Sequence, residues 1–175
     1  MAIDKNAMNR MAMAAMLGLV VTLHAAGSLA LDDAEKAMVT ALEYEVFEFG
    51  FRETGQQRPP QSFCLMRGRI KVREISPLEE PVGNGVSKGV VSALRARGFN
   101  AFSSDDCVYQ GDTVRVQGAS QTAALLGIEL RYESRDDVIA DTSYRGFSIC
   151  EDQRLRLVRD KDDFVIIERR MTLSC

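Results

Sequence analysis

The pattern of apolar and polar positions divides the chain into regions of different period. From Met11 to Leu31 no residue carries a formal charge, and Ala, Met, Leu and Val dominate. Lys5 and Arg10 precede this run, and Ser28 and Ala30 form a small-x-small exit before Asp32 and Asp33. A basic start, an apolar stretch and small residues at the exit predict a secretory signal peptide over residues 1–30, cut after Ala30. The competing reading is a retained anchor, because the run is just long enough to span a bilayer as a helix. Thr22, His24, Gly27 and Ser28 make its second half a poor lipid-facing surface.

Residues 32 to 53 change to a helical period. Ala34, Met38, Ala41, Leu42, Val46 and Phe49 fall on one face, which Tyr44, Phe47 and Phe51 widen. Asp32 and Glu35 have the spacing of a capping box. Gly55, Pro59 and Pro60 end the element. Residues 62 to 73 then alternate: Met66, Gly68, Ile70 and Val72 on one side, Arg67, Arg69, Lys71 and Arg73 on the other. Residues 86 to 100 predict a second, shorter helix ending at Gly98.

After Gly98 the pattern is strand-like. Val114 and Val116 mark one strand, and Ile128, Leu130 and Tyr132 alternate on a second. "TSYRGFSIC", residues 142 to 150, predicts a third. The last segment predicts a hairpin turning at Asp160–Asp163, with Leu155 and Leu157 facing Val165 and Ile167, and Glu168 near Arg154. The expected fold is therefore α+β. An N-terminal helix and a second short helix pack on a curved antiparallel sheet that closes in a C-terminal meander. Residues 31–175 form one domain of ordinary size.

Cysteine count refines this picture. Cys64, Cys107, Cys150 and Cys175 are an even set on a chain expected to be exported, which predicts two disulfides and a periplasmic or secreted location. Three pairings are open. Cys64–Cys107 with Cys150–Cys175 closes the shorter loops, and each bond would contribute about 3–4 kcal/mol. The first three cysteines are evenly spaced, and "CLMRG" resembles "CVYQG". The segments that follow them differ in kind, so the spacing is read as chance rather than a repeat.

The order of elements resembles small exported bacterial proteins of unknown function. In these, an N-terminal helix precedes a "CL" strand, a second helix leads to an "S-x-x-C" segment, and an antiparallel meander closes the chain. The matching pieces are "FCL" at 63–65, "SALRARGF" at 92–99, "SDDC" at 104–107 and "RLRLVRDKDDFVIIE". The resemblance implies a cystatin-like or NTF2-like helix-and-sheet domain. It carries no activity and no catalytic residues, and it does not establish the pairing of Cys150 with Cys175.

Candidate chemistry narrows further. His24 is the chain's one histidine and lies in the expected signal, so histidine-dependent nucleophilic mechanisms are not expected of the exported chain. No C-x-x-C redox pair is present, and the cysteine spacings do not suit a zinc site. "GNGVSKG", residues 83 to 89, matches neither phosphate-loop pattern. "RDKDDF", residues 159 to 164, lacks the glycine and distal glutamate of a calcium loop. No cofactor is expected. The net charge of −3 gives no reason to expect nucleic-acid binding.

The feature singled out for binding is the basic row Arg67, Arg69, Lys71 and Arg73. Unpaired cations do not sit in a core, so these side chains meet water, carboxylates or an anionic partner. Arg131, Arg154, Arg156, Glu129, Glu133 and Glu168 are expected on the same outer face. The plain reading is a salt-bridged sheet face. The functional reading is a non-catalytic domain of the cell envelope that docks another envelope protein, with no stable membrane span after processing. The alternatives are a carboxylate-dependent hydrolase, or a small apolar ligand site lined by Phe47, Phe51 and Tyr132.

Overall fold

A computed structural model describes residues 30–54, 62–70, 84–110, 113–120, 122–146 and 149–174. The chain divides into two units, Met1–Ala30 and Leu31–Cys175. The expected signal peptide lies outside the described residues, except for Ala30. No described helix is long and apolar enough to cross a membrane.

Helix α1 spans Asp33–Thr54. Its capping box is reciprocal: the Glu35 amide donates to Asp32 Oδ1 at 2.7 Å, and the Asp32 amide donates to Glu35 Oε2 at 3.2 Å. Strand β1 (Ser62–Arg67) follows, then helix α2 (Lys88–Ala96). The Ser87 hydroxyl caps α2 by accepting from the Val90 amide at 3.3 Å. Gly98, at φ 90°, ends it as expected, and the Phe99 amide donates to the Leu94 carbonyl.

The remaining elements are β2 (Ala101–Ser103), a 3₁₀ turn over Ser104–Asp106, β3 (Cys107–Gln110) and β4 (Thr113–Val116). The meander then runs through β5 (Thr122–Ser134), β6 (Asp137–Arg145), β7 (Cys150–Asp160) and β8 (Asp163–Ser174). The expected strand over 142–150 is in fact two pieces. "TSYR" completes β6, which starts earlier at Asp137, and Cys150 opens β7.

The two helices accompany one eight-stranded sheet, ordered β2-β1-β5-β6-β7-β8, with β3 and β4 joined at β5. The α+β class holds, but the sheet is mixed rather than antiparallel. β1 pairs in parallel with both β2 and β5. The reason is α2, which carries the chain from β1 to β2 and supplies the long crossover that parallel neighbours need. β1 is accordingly buried on both faces, and its "SFCLM" reads as a near-continuous apolar run.

The main core lies between α1, α2 and one face of the sheet. Leu42, Val46 and Phe49 of α1 pack with Val138, Ala140 and Tyr144 of β6 and with Leu155 and Leu157 of β7. The Phe49 and Tyr144 rings stack at 4.4 Å. A smaller cluster on the opposite face joins Cys64, Met66, Ile70, Val116, Ala123 and Leu125.

The β7–β8 hairpin turns at Lys161 and Asp162, inside the expected range. Its register differs from expectation. Leu157 opposes Ile166, Leu155 opposes Arg169, and Glu168 opposes Arg156 rather than Arg154. Two irregularities in the ladder, one between Arg156 and Leu157, shift the pairing by a residue.

Candidate functional site

The face of β5–β7 opposite α1 is built by strand alternation. On β6 it takes Asp137, Asp141, Ser143 and Arg145; on β7 it takes Asp152, Arg154 and Arg156. The register sets these side chains beside one another as ion pairs. Arg154 Nε donates to Asp141 Oδ1 at 2.7 Å and its Nη2 to Oδ2 at 3.1 Å, a two-point pair. Arg156 grips Asp137 in the same way, with Nη2 at 2.6 Å from Oδ2. Arg131 Nε reaches Glu133 at 2.9 Å on β5. This is the salt-bridged sheet face expected for Arg131, Arg154 and Arg156.

Charge pairing shifts proton affinity in the expected sense. The hydrogen bond from Arg156 holds the Asp137 carboxyl below the ordinary value, against a weaker opposing effect of desolvation. The same bond raises Arg156, and the bond that Arg154 donates to Asp141 raises Arg154.

The expected basic row does not run along one strand face. β1 ends at Arg67, which is exposed, and Gly68 turns with φ 104°. Residues 68–70 then cross over the meander. The Gly68 carbonyl comes within 2.5 Å of where a Cβ on Gly127 would sit, so only glycine fits at position 127. The Ile70 amide donates to Ser143 Oγ at 3.3 Å. Arg69 donates to Asp152 Oδ2 at 3.2 Å. Lys71 and Arg73 lie outside the described residues.

Asp152 also accepts from Arg145 Nη2 at 2.9 Å, so one buried carboxylate lies between two guanidinium groups. Arg145 further donates to the carbonyls of Tyr144, Glu151 and Ile70. Arg145 therefore ties the crossing segment to the sheet. The sequence marks it only as a cation near the end of a strand.

Cys64 and Cys107 are disulfide-bonded, as the shorter-loop pairing requires. The bond joins central β1 to β3, whose one strand partner among the described residues is β4. It thus staples the β3–β4 hairpin to the core. Cys150 is also disulfide-bonded, and Cys175 lies outside the described residues.

A second polar cluster lies under α1. Glu45 is only 1% exposed, and Thr142 Oγ1 donates to its Oε1 at 2.5 Å. Buried Gln153 and Glu151 stand nearby on β7, with Gln153 Nε2 donating to Glu151 Oε1 at 3.4 Å. Glu45 Oε2 has no hydrogen-bond partner among the described residues. Burial pushes the Glu45 carboxyl up to about 7, and the Thr142 bond only partly offsets this. Glu45 falls on the apolar stripe of α1 between Leu42 and Phe49, so its position in the helical period was the available signal. Phe47 and Tyr132 are exposed at 43% and 46% and do not line an enclosed cavity; the Phe51 side chain lies outside the described residues. Among the described residues no cluster of three or more His, Cys, Asp or Glu is placed to hold a metal ion.

Comparison of the chain with protein-family models, with curated proteins and with solved structures finds no match.

Proposed function

We propose that this protein is an exported, non-catalytic binding or accessory domain of the bacterial cell envelope, periplasmic or secreted, which docks another envelope protein through the outer face of its meander. The observation that carries the reading is the ladder of arginine–carboxylate pairs across β5–β7. Its guanidinium groups remain partly open to solvent, with Arg154 and Arg156 side chains 42% and 44% exposed. Such a face presents alternating charge at fixed spacing, which favours register and partner choice over raw affinity. The buried Cys64–Cys107 bond is compatible with an oxidising compartment.

Charge reversal tests the reading. The oxidised protein, immobilised, is expected to retain one dominant partner from native envelope extract, and added salt should weaken the complex. Arg154→Glu combined with Arg156→Glu should abolish that retention. Retention unchanged by the reversal would overturn the docking face.

The hydrolase reading has one observation in its favour, a carboxyl at Glu45 whose proton affinity suits general acid chemistry near neutral pH. Its burial stands against this, because a catalytic acid has to reach its substrate. A hydrolytic activity lost in Glu45→Gln would favour the hydrolase over the binding domain.

A further inference from the structure

Four of the seven exposed large apolar side chains among the described residues lie on β8: Val165, Ile167, Met171 and Leu173. Among the described residues β8 pairs with β7 alone, so its other edge has no strand partner there. The strand "DFVIIERRMTLS" contains neither proline nor lysine, and its charged residues Glu168, Arg169 and Arg170 and its two ladder irregularities are the features that a partner strand has to match.

The four apolar positions are symmetric about Arg169. Val165 and Leu173 lie four residues on either side of it, Ile167 and Met171 two, and the oppositely charged Glu168 and Arg170 one. We propose that β8 is a homodimer edge, on which a second copy of this chain pairs antiparallel with Arg169 on the two-fold axis. Every pair then occurs twice: Val165 against Leu173, Ile167 against Met171, and Glu168 against Arg170. Such self-complementarity is what an isologous interface requires.

The register is consistent with the faces of the sheet. Val165 opposes Val158, Glu168 opposes Arg156, Arg170 opposes Arg154 and Leu173 opposes Asp152, so all four point away from α1. A two-fold axis normal to the sheet keeps that face together in both copies. Moving the axis half a residue sets Arg169, which points to the helix side, against Arg170 or Glu168, which point away, and so breaks the match of faces. Arg169 on the axis meets its own copy, but it points to the helix side. There its Nη1 donates to Glu48 Oε1 at 3.1 Å and to the Tyr44 hydroxyl at 2.7 Å. Glu48 thus already balances its charge. The ladder irregularities fall at Ile167 and at Thr172, so the Glu168–Arg170 pairs lie in the regular stretch 168–171, while the Ile167–Met171 and Val165–Leu173 pairs require the second copy to follow the irregular positions. The proposal does not rest on the docking role of β5–β7, which the edge adjoins at Arg154 and Arg156.

The oxidised full chain in sedimentation velocity, across the micromolar range, tests it. The wild type is expected to dimerise. Glu168→Arg should weaken the dimer about tenfold or more, because it sets like charges opposite each other twice. Combining it with Arg170→Glu should restore dimerisation, since the mirror pairs form again with their signs exchanged. Ile167→Lys and Met171→Lys read the same edge if Glu168→Arg does not fold by circular dichroism. A wild type that stays monomeric overturns the proposal, as does a dimer that Glu168→Arg and Ile167→Lys both leave unchanged.

Discussion

Strand β6 shows two ways of using one sheet. Its alternate residues Val138, Ala140, Thr142 and Tyr144 turn toward α1, and Asp137, Ile139, Asp141, Ser143 and Arg145 turn away. On the helix side, apolar packing dominates and one carboxyl, Glu45, is held by a hydroxyl. On the outer side, carboxylates are held by arginines. The same chemical group therefore moves in opposite directions across a single sheet: Glu45 is raised by desolvation, and Asp137 is lowered by its guanidinium bond. For these two carboxyls the surroundings set the direction, desolvation for Glu45 and a guanidinium bond for Asp137.

The contrast predicts unequal costs of mutation. Phe49→Ala should be the most damaging, because it removes a fully buried ring stacked on Tyr144. The expected loss is about 3–5 kcal/mol, read as a lower denaturant midpoint at constant m-value. Arg145→Leu probes the outer side at its most buried point. Asp152 keeps Arg69, while the carbonyls of Tyr144, Glu151 and Ile70 lose a donor. The expected loss is about 3 kcal/mol, with amide exchange at 68–70 accelerated well beyond that in the helices. A loss clearly greater than that of Phe49→Ala would make the outer face a core in its own right.

Helix and turn signals in the sequence were accurate, and the strand pairings and registers were not. The capping box of Asp32 and Glu35, the glycine stop of α2 and the turn at Lys161 are each decided by a few neighbouring residues. The Cys64–Cys107 bond followed from loop length. The parallel pairing of β1 with β2 and β5 depends on contacts made after the chain has crossed through α2, and alternation within β1 says nothing about its partners. The basic row failed at Gly68, where the positive φ ends the alternation that would have aligned Arg67 with Arg69. The register of β8 slipped for a similar reason, since a ladder irregularity leaves no mark in a two-residue period.

The Glu45 carboxyl sharpens the comparison through pH. Its value in the folded protein, about 7, lies above the ordinary 4.5. Below pH 4.5 it is protonated in both states and contributes no pH dependence. Between 4.5 and about 7 the unfolded chain ionises first, so stability falls as pH rises, and above that range the loss levels off. The expected span over the whole range is about 3 kcal/mol. Glu45→Gln keeps an acceptor for Thr142 and should remove this slope, so the variant becomes more stable than the wild type above pH 7. Chemical denaturation at pH 5 and pH 8 measures the difference. A slope that persists in the variant would place its source elsewhere.

Asp137→Asn should have the smallest effect, with the opposite sign of pH dependence. Its folded value lies below the ordinary 3.8 because Arg156 bonds the charged form. The stabilisation is therefore present above pH 3.8 and is lost as pH falls through the lower folded value. Both partners remain in contact with water, so solvent and salt screen the attraction and holding two side chains in place consumes part of it. The wild type and Asp137→Asn should unfold at nearly the same denaturant concentration at neutral pH, with a small wild-type advantage that disappears in molar salt. In acid the two curves should converge. Were the cost instead large and insensitive to salt, the pair would be behaving as a desolvated one. The outer ladder would then be a structural element closed to partners, and the docking role proposed for it would lose its physical basis.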